Sequence, residues 1–224
     1  MACLLTKHLI APFLRFGFSI LYHSAAPIYD NVALLVSGGY WFKWGSKAQN
    51  FIRGHHILEV GFGTGHLIVS LSKSGYKVVG LDESKQMCRI TAAKLSKLQS
   101  QPEQVMLVRG NSQYCPFRSA YFDTIICNFP SDYIINPKSL SEFKRILQPS
   151  GRLVILAGAW AGRRTLHARF ASVLYRLIGQ PSPNKIDWRP FFDQLVVNGF
   201  SCSLQWVSIK GSLVVFIIAE SSYS

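Results

Sequence analysis

Acidic residues are scarce in this chain of 224 residues, where 11 Asp and Glu stand against 24 Lys and Arg for a formal charge of +13. Such a balance favours an anionic partner, either nucleic acid or an anionic membrane surface. The cations are spread along the sequence, so a disordered basic tail is not expected. The five cysteines (Cys3, Cys88, Cys115, Cys127, Cys202) include no C-x-x-C pair and no histidine at ligand spacing. A disulfide framework and a zinc site are therefore disfavoured, no metal is expected, and reduced thiols fit a cytoplasmic setting. A long uninterrupted apolar run is also missing: Leu4 to Tyr22 is broken by Lys7, Pro12 and Arg15. Neither a secretory signal nor a bilayer span is expected from it. Internal repeats and low-complexity segments are absent too. With 49% apolar residues the chain has enough to build one domain with a full core.

What is present is a strand-like run that ends in alternating glycines. Ile57-Leu58-Glu59-Val60-Gly61-Phe62-Gly63-Thr64-Gly65-His66-Leu67 reads as a buried strand, a sharp turn and the start of a helix. Glycine lets the backbone bend tightly and approach a ligand, and a helix N-terminus behind it adds unpaired donors. Val78-Val79-Gly80-Leu81-Asp82 follows about 20 residues on, where a doubly wound sheet places a carboxylate for a ribose diol. A dinucleotide fingerprint would need glycine at position 66, and this chain has His66.

The pattern Glu59-Val-Gly61-x-Gly63-x-Gly65 instead resembles the first motif of class I S-adenosylmethionine-dependent methyltransferases. Gly80-Leu81-Asp82-Glu83-Ser84-Lys85-Gln86-Met87 is similar to that family's second motif. Arg109 to Phe117, then Tyr121 to Ile126, resemble its third- and fourth-strand motifs, and Glu142 to Ile155 its following helix, turn and fifth strand. The resemblance runs in order over residues 55–157.

It implies a binding site for S-adenosylmethionine. Gly61, Gly63, Thr64 and Gly65 would carry the methionine moiety, with Glu59 shaping the loop. Asp82 would accept the ribose hydroxyls, a bidentate task suited to a carboxylate; the alternative is capping the next helix. Glu83 would share that role or face solvent, and Met87 would pack on adenine or in the core. The family usually has an acid where this chain has Asn111, whose carbonyl oxygen offers adenine a weaker, neutral acceptor. Ser112 would add a backbone N–H, and Asn128, at the fourth strand's end, is also assigned to the cofactor.

Strands are expected near 56–60, 77–81, 104–108, 123–128 and 152–157, with helices over 65–74, 84–98 and 139–147. A last helix over Trp188–Asn198 and a hairpin of Ser201–Ile209 and Ser212–Glu220 would follow. The fold class is thus α/β, a Rossmann-like seven-stranded sheet, mostly parallel with an antiparallel last strand and helices on both faces. Residues 1–54 are read as an N-terminal helical substrate lid and 55–224 as the cofactor-binding domain, with 160–183 an inserted amphipathic lid helix.

Tyr29-Asp30 and Trp41-x-x-Trp44 resemble the N-terminal region of the ubiquinone/menaquinone-biosynthesis and lipid-modifying methyltransferases. That resemblance implies a small lipophilic acceptor reached from the inner face of the membrane, by an enzyme bound peripherally. Asp30, Tyr29 and His23 are candidates for a proton acceptor, with His167, Tyr133 and His66 behind them. Two alternatives stand. One is nucleic-acid methylation, although Asn128-Phe129-Pro130-Ser131 departs from the base-methylating pattern. The other is a non-catalytic binding protein on the same fold. Oxygen, nitrogen and carbon acceptors all remain open.

Overall fold

The computed structural model describes residues 39–98, 104–160 and 186–221. In chain order these form α1 (Tyr40–Ser46), a 3-10 turn (Lys47–Phe51), β1 (His56–Val60), α2 (His66–Lys73), β2 (Lys77–Asp82) and α3 (Lys85–Ser96). Then come β3 (Val105–Arg109), β4 (Phe122–Asn128), a 3-10 turn (Asp132–Ile135), α4 (Pro137–Ile146) and β5 (Leu147–Trp160). The chain closes with α5 (Arg189–Val197), β6 (Phe200–Ile209) and β7 (Ser212–Ser221).

The strands make one seven-stranded sheet in the order β3-β2-β1-β4-β5-β7-β6. β1 to β5 run parallel, and β7 lies antiparallel between β5 and β6. The central strands bury both faces, so they read as near-continuous apolar runs. Edge strand β6 alternates half-buried and exposed positions over residues 201–205 instead, as a strand with one solvated face does.

Two cores flank the sheet. On one face Leu58, Val60, Ile125 and Cys127 pack with Phe143 of α4 and Leu195 of α5. On the other, Ile57, Ile126 and Val154 pack with Trp44 of α1 and Leu67, Ile68 and Leu71 of α2. Strand order reverses between β1 and β4, whose carboxyl ends are Val60 and Asn128. That is the topological switch point, where open α/β sheets take their ligands.

The expected elements are present with shifted ends. β5 was expected over 152–157 and runs from Leu147 to Trp160. Leu147 already pairs with Phe122 across a register shift, and β7 carries the pairing past Leu156 to Trp160. At the opposite, amino-terminal ends of β1 and β4, Asp123 accepts the backbone N–H groups of His55 and His56 at 2.8 and 2.9 Å. These histidines fasten the entry to β1, far from the switch point. The lid assignments over residues 1–38 and 161–183 lie outside the described residues. Among the described residues, no helix is long and apolar enough to cross a membrane.

Candidate active site

The turn after β1 is built on three left-handed glycines, with φ of 69° at Gly61, 54° at Gly63 and 75° at Gly65. Crowding adds to the conformational demand at two of them. A Cβ at Gly65 would lie 2.2 Å from Thr91 Cγ2, and one at Gly61 would lie 3.1 Å from the Tyr133 hydroxyl. At Gly63 a Cβ would meet nothing within 4 Å, so backbone conformation alone calls for glycine there.

The three glycine amides all have partners within the protein. Gly61 N–H donates to the Leu81 carbonyl at 2.8 Å, and Gly65 N–H to the Phe62 carbonyl at 3.0 Å. Gly63 N–H donates to Asp82 Oδ2 at 2.9 Å, while Thr91 Oγ1 donates to the Gly63 carbonyl at 3.1 Å. These amides hold the turn in shape, since buried N–H groups in a folded chain are paired. Thr64 is buried inside the same turn.

Asp82, at the end of β2, is 3% exposed. Its Oδ1 accepts Ser84 N–H at 2.8 Å while Oδ2 takes the Gly63 amide. Each carboxylate oxygen has further acceptor capacity, so a diol can still be received. Asp82 does not cap α3; Ser84 does, its Oγ accepting Met87 N–H at 3.3 Å. Met87 itself is fully buried, and in this conformation it fills the core and shows no face to a ligand.

Glu59 is 3% exposed, and its Oε2 has no hydrogen-bond partner. Burial, and then the charge of Asp82, push its carboxyl well above the usual range, against a hydrogen bond with the Ile68 backbone. Glu59 stands in register with Ile126, and Asn128 lies two residues further along that strand. Asn128 Oδ1 is likewise buried and unpartnered. Its amide group sits under Gly45 of α1, where an added Cβ would come within 3.2 Å of Nδ2. Native interiors rarely leave such acceptors unmade. Two of them on the switch-point strands suit a ligand that brings positively charged donors.

Asn111 and Ser112 make contacts within the protein. Asn111 Oδ1 accepts Gln113 N–H at 2.7 Å, and its Nδ2 donates to Glu83 Oε1. The Asn111 amide is thus partly engaged, with one lone pair remaining on its oxygen. Glu83 is exposed and bound to Asn111, and its carbonyl accepts from Arg109 Nε at 3.0 Å. Ser112 is buried, with its hydroxyl 2.9 Å from that of Ser139.

Aromatic rings of α1 roof the switch point. Trp41 stacks on Phe129 with centroids 4.0 Å apart, and Phe42 lies 3.8 Å from the His66 ring. Phe129 has φ of 46°, a left-handed value that strains a bulky residue. Its N–H donates to the Leu156 carbonyl at 3.0 Å. Tyr133 donates its hydroxyl proton to the Val60 carbonyl at 3.1 Å, so it braces the loop and does not stand ready as a base. His66 is exposed, with Nε2 3.1 Å from Lys94 Nζ. The candidates His23, Tyr29, Asp30 and His167 lie outside the described residues.

The sequence does not disclose two braces: Thr91 is not singled out there, and Tyr133 stands only as a candidate proton acceptor. Thr91 could have been found, since it follows Met87 by four residues on the buried stripe of α3. Tyr133 had no such signal, because its partner is a main-chain carbonyl 73 residues away.

The chain is similar in sequence and in fold to known proteins. Residues 58–155 match a family model described as a methyltransferase domain. A demethylmenaquinone methyltransferase of Symbiobacterium thermophilum is 30% identical over 176 residues, covering 75% of this chain and 67% of the relative. One from Lactiplantibacillus plantarum is 30% identical over 143 residues, 61% of this chain and 60% of that protein. The chain thus spans about three fifths to two thirds of the length of these relatives. A solved S-adenosylmethionine-dependent methyltransferase from Aquifex aeolicus shares the fold, with a TM-score of 0.62 and 20% identity, covering 88% of this chain and 97% of that one. A domain match, a relative 30% identical over two thirds of its length and a shared fold together show that the chain belongs to the S-adenosylmethionine-dependent methyltransferases.

Proposed function

We propose that this protein transfers a methyl group from S-adenosylmethionine to a small, lipophilic, quinone-like acceptor that it meets at a membrane surface. The observation that carries the reading is the pair of unpartnered buried acceptors, Glu59 Oε2 and Asn128 Oδ1, beside the Gly61–Gly65 turn. They fit the ammonium of the cofactor's methionine end. Asp82, already fixed by two backbone amides, fits the ribose diol. Asn111 and Ser112 frame the adenine side, and Glu83 orients Asn111. When bound, the cofactor supplies a methyl group on a good leaving group. The chain's own task is to align the acceptor and exclude water. The stacked Trp41 and Phe129, with buried Trp44 behind them, supply the apolar surface for that purpose. The relatives named as demethylmenaquinone methyltransferases support a quinone-like acceptor.

The test is transfer of a labelled methyl group from S-adenosylmethionine into a cell extract, followed by solvent partition. Label is expected in the organic phase. Label that stays aqueous and is released by nuclease would replace this reading with nucleic-acid methylation. Cofactor binding with no transfer to any fraction would favour a non-catalytic role.

A further inference from the structure

A cavity of about 520 Å³ lies outside the cofactor turn, between the first turns of α3 and the end of β3. Its lining includes Lys85 and Arg89, one helical turn apart on α3, together with Arg109, Gln86 and Glu83. Three cations there face one carboxylate, and that carboxylate is bonded to Asn111. Among the described residues, the side chains of Lys85 and Arg89 make no hydrogen bond or ion pair. Arg109 uses its Nε on the Glu83 carbonyl. This differs from other arginines of the chain. Arg53 and Arg152 share Glu220, Arg145 is held by Glu142, and Arg189 by Asp187. Those cations have local carboxylates, whereas the ones around this cavity point a net positive charge at solvent.

Position gives the charge its meaning. β2 and β3 end at Asp82 and Arg109, which are partners in register, so the cavity sits on the rim that also carries the glycine turn and Asn128. An acceptor dissolved in a bilayer must enter over that rim. We propose that Lys85, Arg89 and Arg109 form a docking surface for the phosphates of anionic lipid headgroups, holding the active-site rim against the membrane. Guanidinium and ammonium groups without carboxylate partners suit headgroup phosphates, and attraction to an anionic leaflet accrues for each cation close to it. The proposal rests on the lipophilic-acceptor reading and adds the surface that delivers the enzyme to it.

The test is co-sedimentation of the full chain with vesicles of phosphatidylcholine, alone or containing phosphatidylglycerol. The Lys85→Gln/Arg89→Gln variant is compared with Lys73→Gln/Lys77→Gln, which removes the same charge from the opposite rim. The first variant is expected to lose on the order of tenfold in partition onto the anionic vesicles, and the second little. Equal losses would reduce the effect to net charge and overturn a local site, as would unchanged binding by the first variant. A selective loss of binding to a single-stranded RNA probe, with vesicle binding intact, would assign the surface to nucleic acid instead. Calorimetric binding of S-adenosylmethionine, and methyl transfer to detergent-dispersed acceptor, are measured in parallel. Their failure in the wild type would count against the proposed function; their success with vesicle binding absent would sink only the docking surface.

Discussion

Glu59 is the residue whose chemistry is most at odds with its surroundings. It is a buried carboxyl beside a second acid, with one oxygen unpartnered. Its pKa is raised in the folded state, so the stability linked to it is full below the ordinary carboxylate range and is lost as pH rises through the folded value. Glu59→Gln removes that dependence. The variant should melt close to the wild type at pH 5 and about 2–4 °C above it at pH 8, by scanning calorimetry. A melting difference that stays flat with pH would contradict the assignment. The same variant should bind S-adenosylmethionine more weakly, since a cationic ligand favours the ionised carboxyl. Asn111 also gains a physical account at this scale. With Glu83 Oε1 in hydrogen-bond contact with its Nδ2, an acid at position 111 would set two carboxylates against each other. Asparagine turns that repulsion into a bond.

The glycine turn and α3 act as one unit among the elements. Thr91 Oγ1 bonds the Gly63 carbonyl, and its methyl occupies the place of any Cβ at position 65. Gly65→Ala combines left-handed backbone with a 2.2 Å collision. It should destabilise the protein by about 2–4 kcal/mol in urea denaturation and abolish measurable cofactor binding. Adding Thr91→Ser, which removes the methyl and keeps the hydroxyl, should recover part of the loss. This coupling also marks the limit of what the sequence discloses. β1, β2 and β4 were legible because apolar runs end in Gly61, Asp82 and Asn128, and Asp82 does close β2. β5 was misjudged at both ends. Pro149 and Gly151 look like a turn, yet Leu147 already pairs with Phe122, and Trp160 is held by β7 from far along the chain. The same blindness hid Arg145, which binds the carbonyls of Cys115 and Phe117 while Glu142 takes the Cys115 amide. Main-chain partners leave no trace in residue identity. The glycine amides illustrate this too, since only the fold reveals that they are already committed.

For the whole molecule, the charge of +13 separates into scaffold and surplus. Part of the positive charge ties distant segments together: Arg53 and Arg152 meet Glu220 of the last strand. The exposed Arg53 pair adds little stability. The geometric effect of the two pairs is to fasten the segment before β1 to the far side of the sheet. Another part, Lys85, Arg89 and Arg109, gathers around one cavity, whose place composition alone could not locate. The rim of strand ends that holds the glycine turn and Asp82 also carries the Lys85, Arg89 and Arg109 cavity.

Asp82 joins two βα turns, taking the amide of Gly63 from one and of Ser84 from the other. A ribose gripped by this carboxylate would therefore be sensed by two main-chain hydrogens that need not touch it. Opening either turn would first require releasing the sugar, so occupancy should be readable as slowed deuterium uptake at Gly63 and Ser84. With saturating S-adenosylmethionine these amides should exchange at least tenfold more slowly, while those of edge strand β6 keep their rates. Uniform slowing across the sheet would mean that the carboxylate is merely one more strut. A local effect would make Asp82 the clasp through which the nucleoside stiffens the fold that receives it.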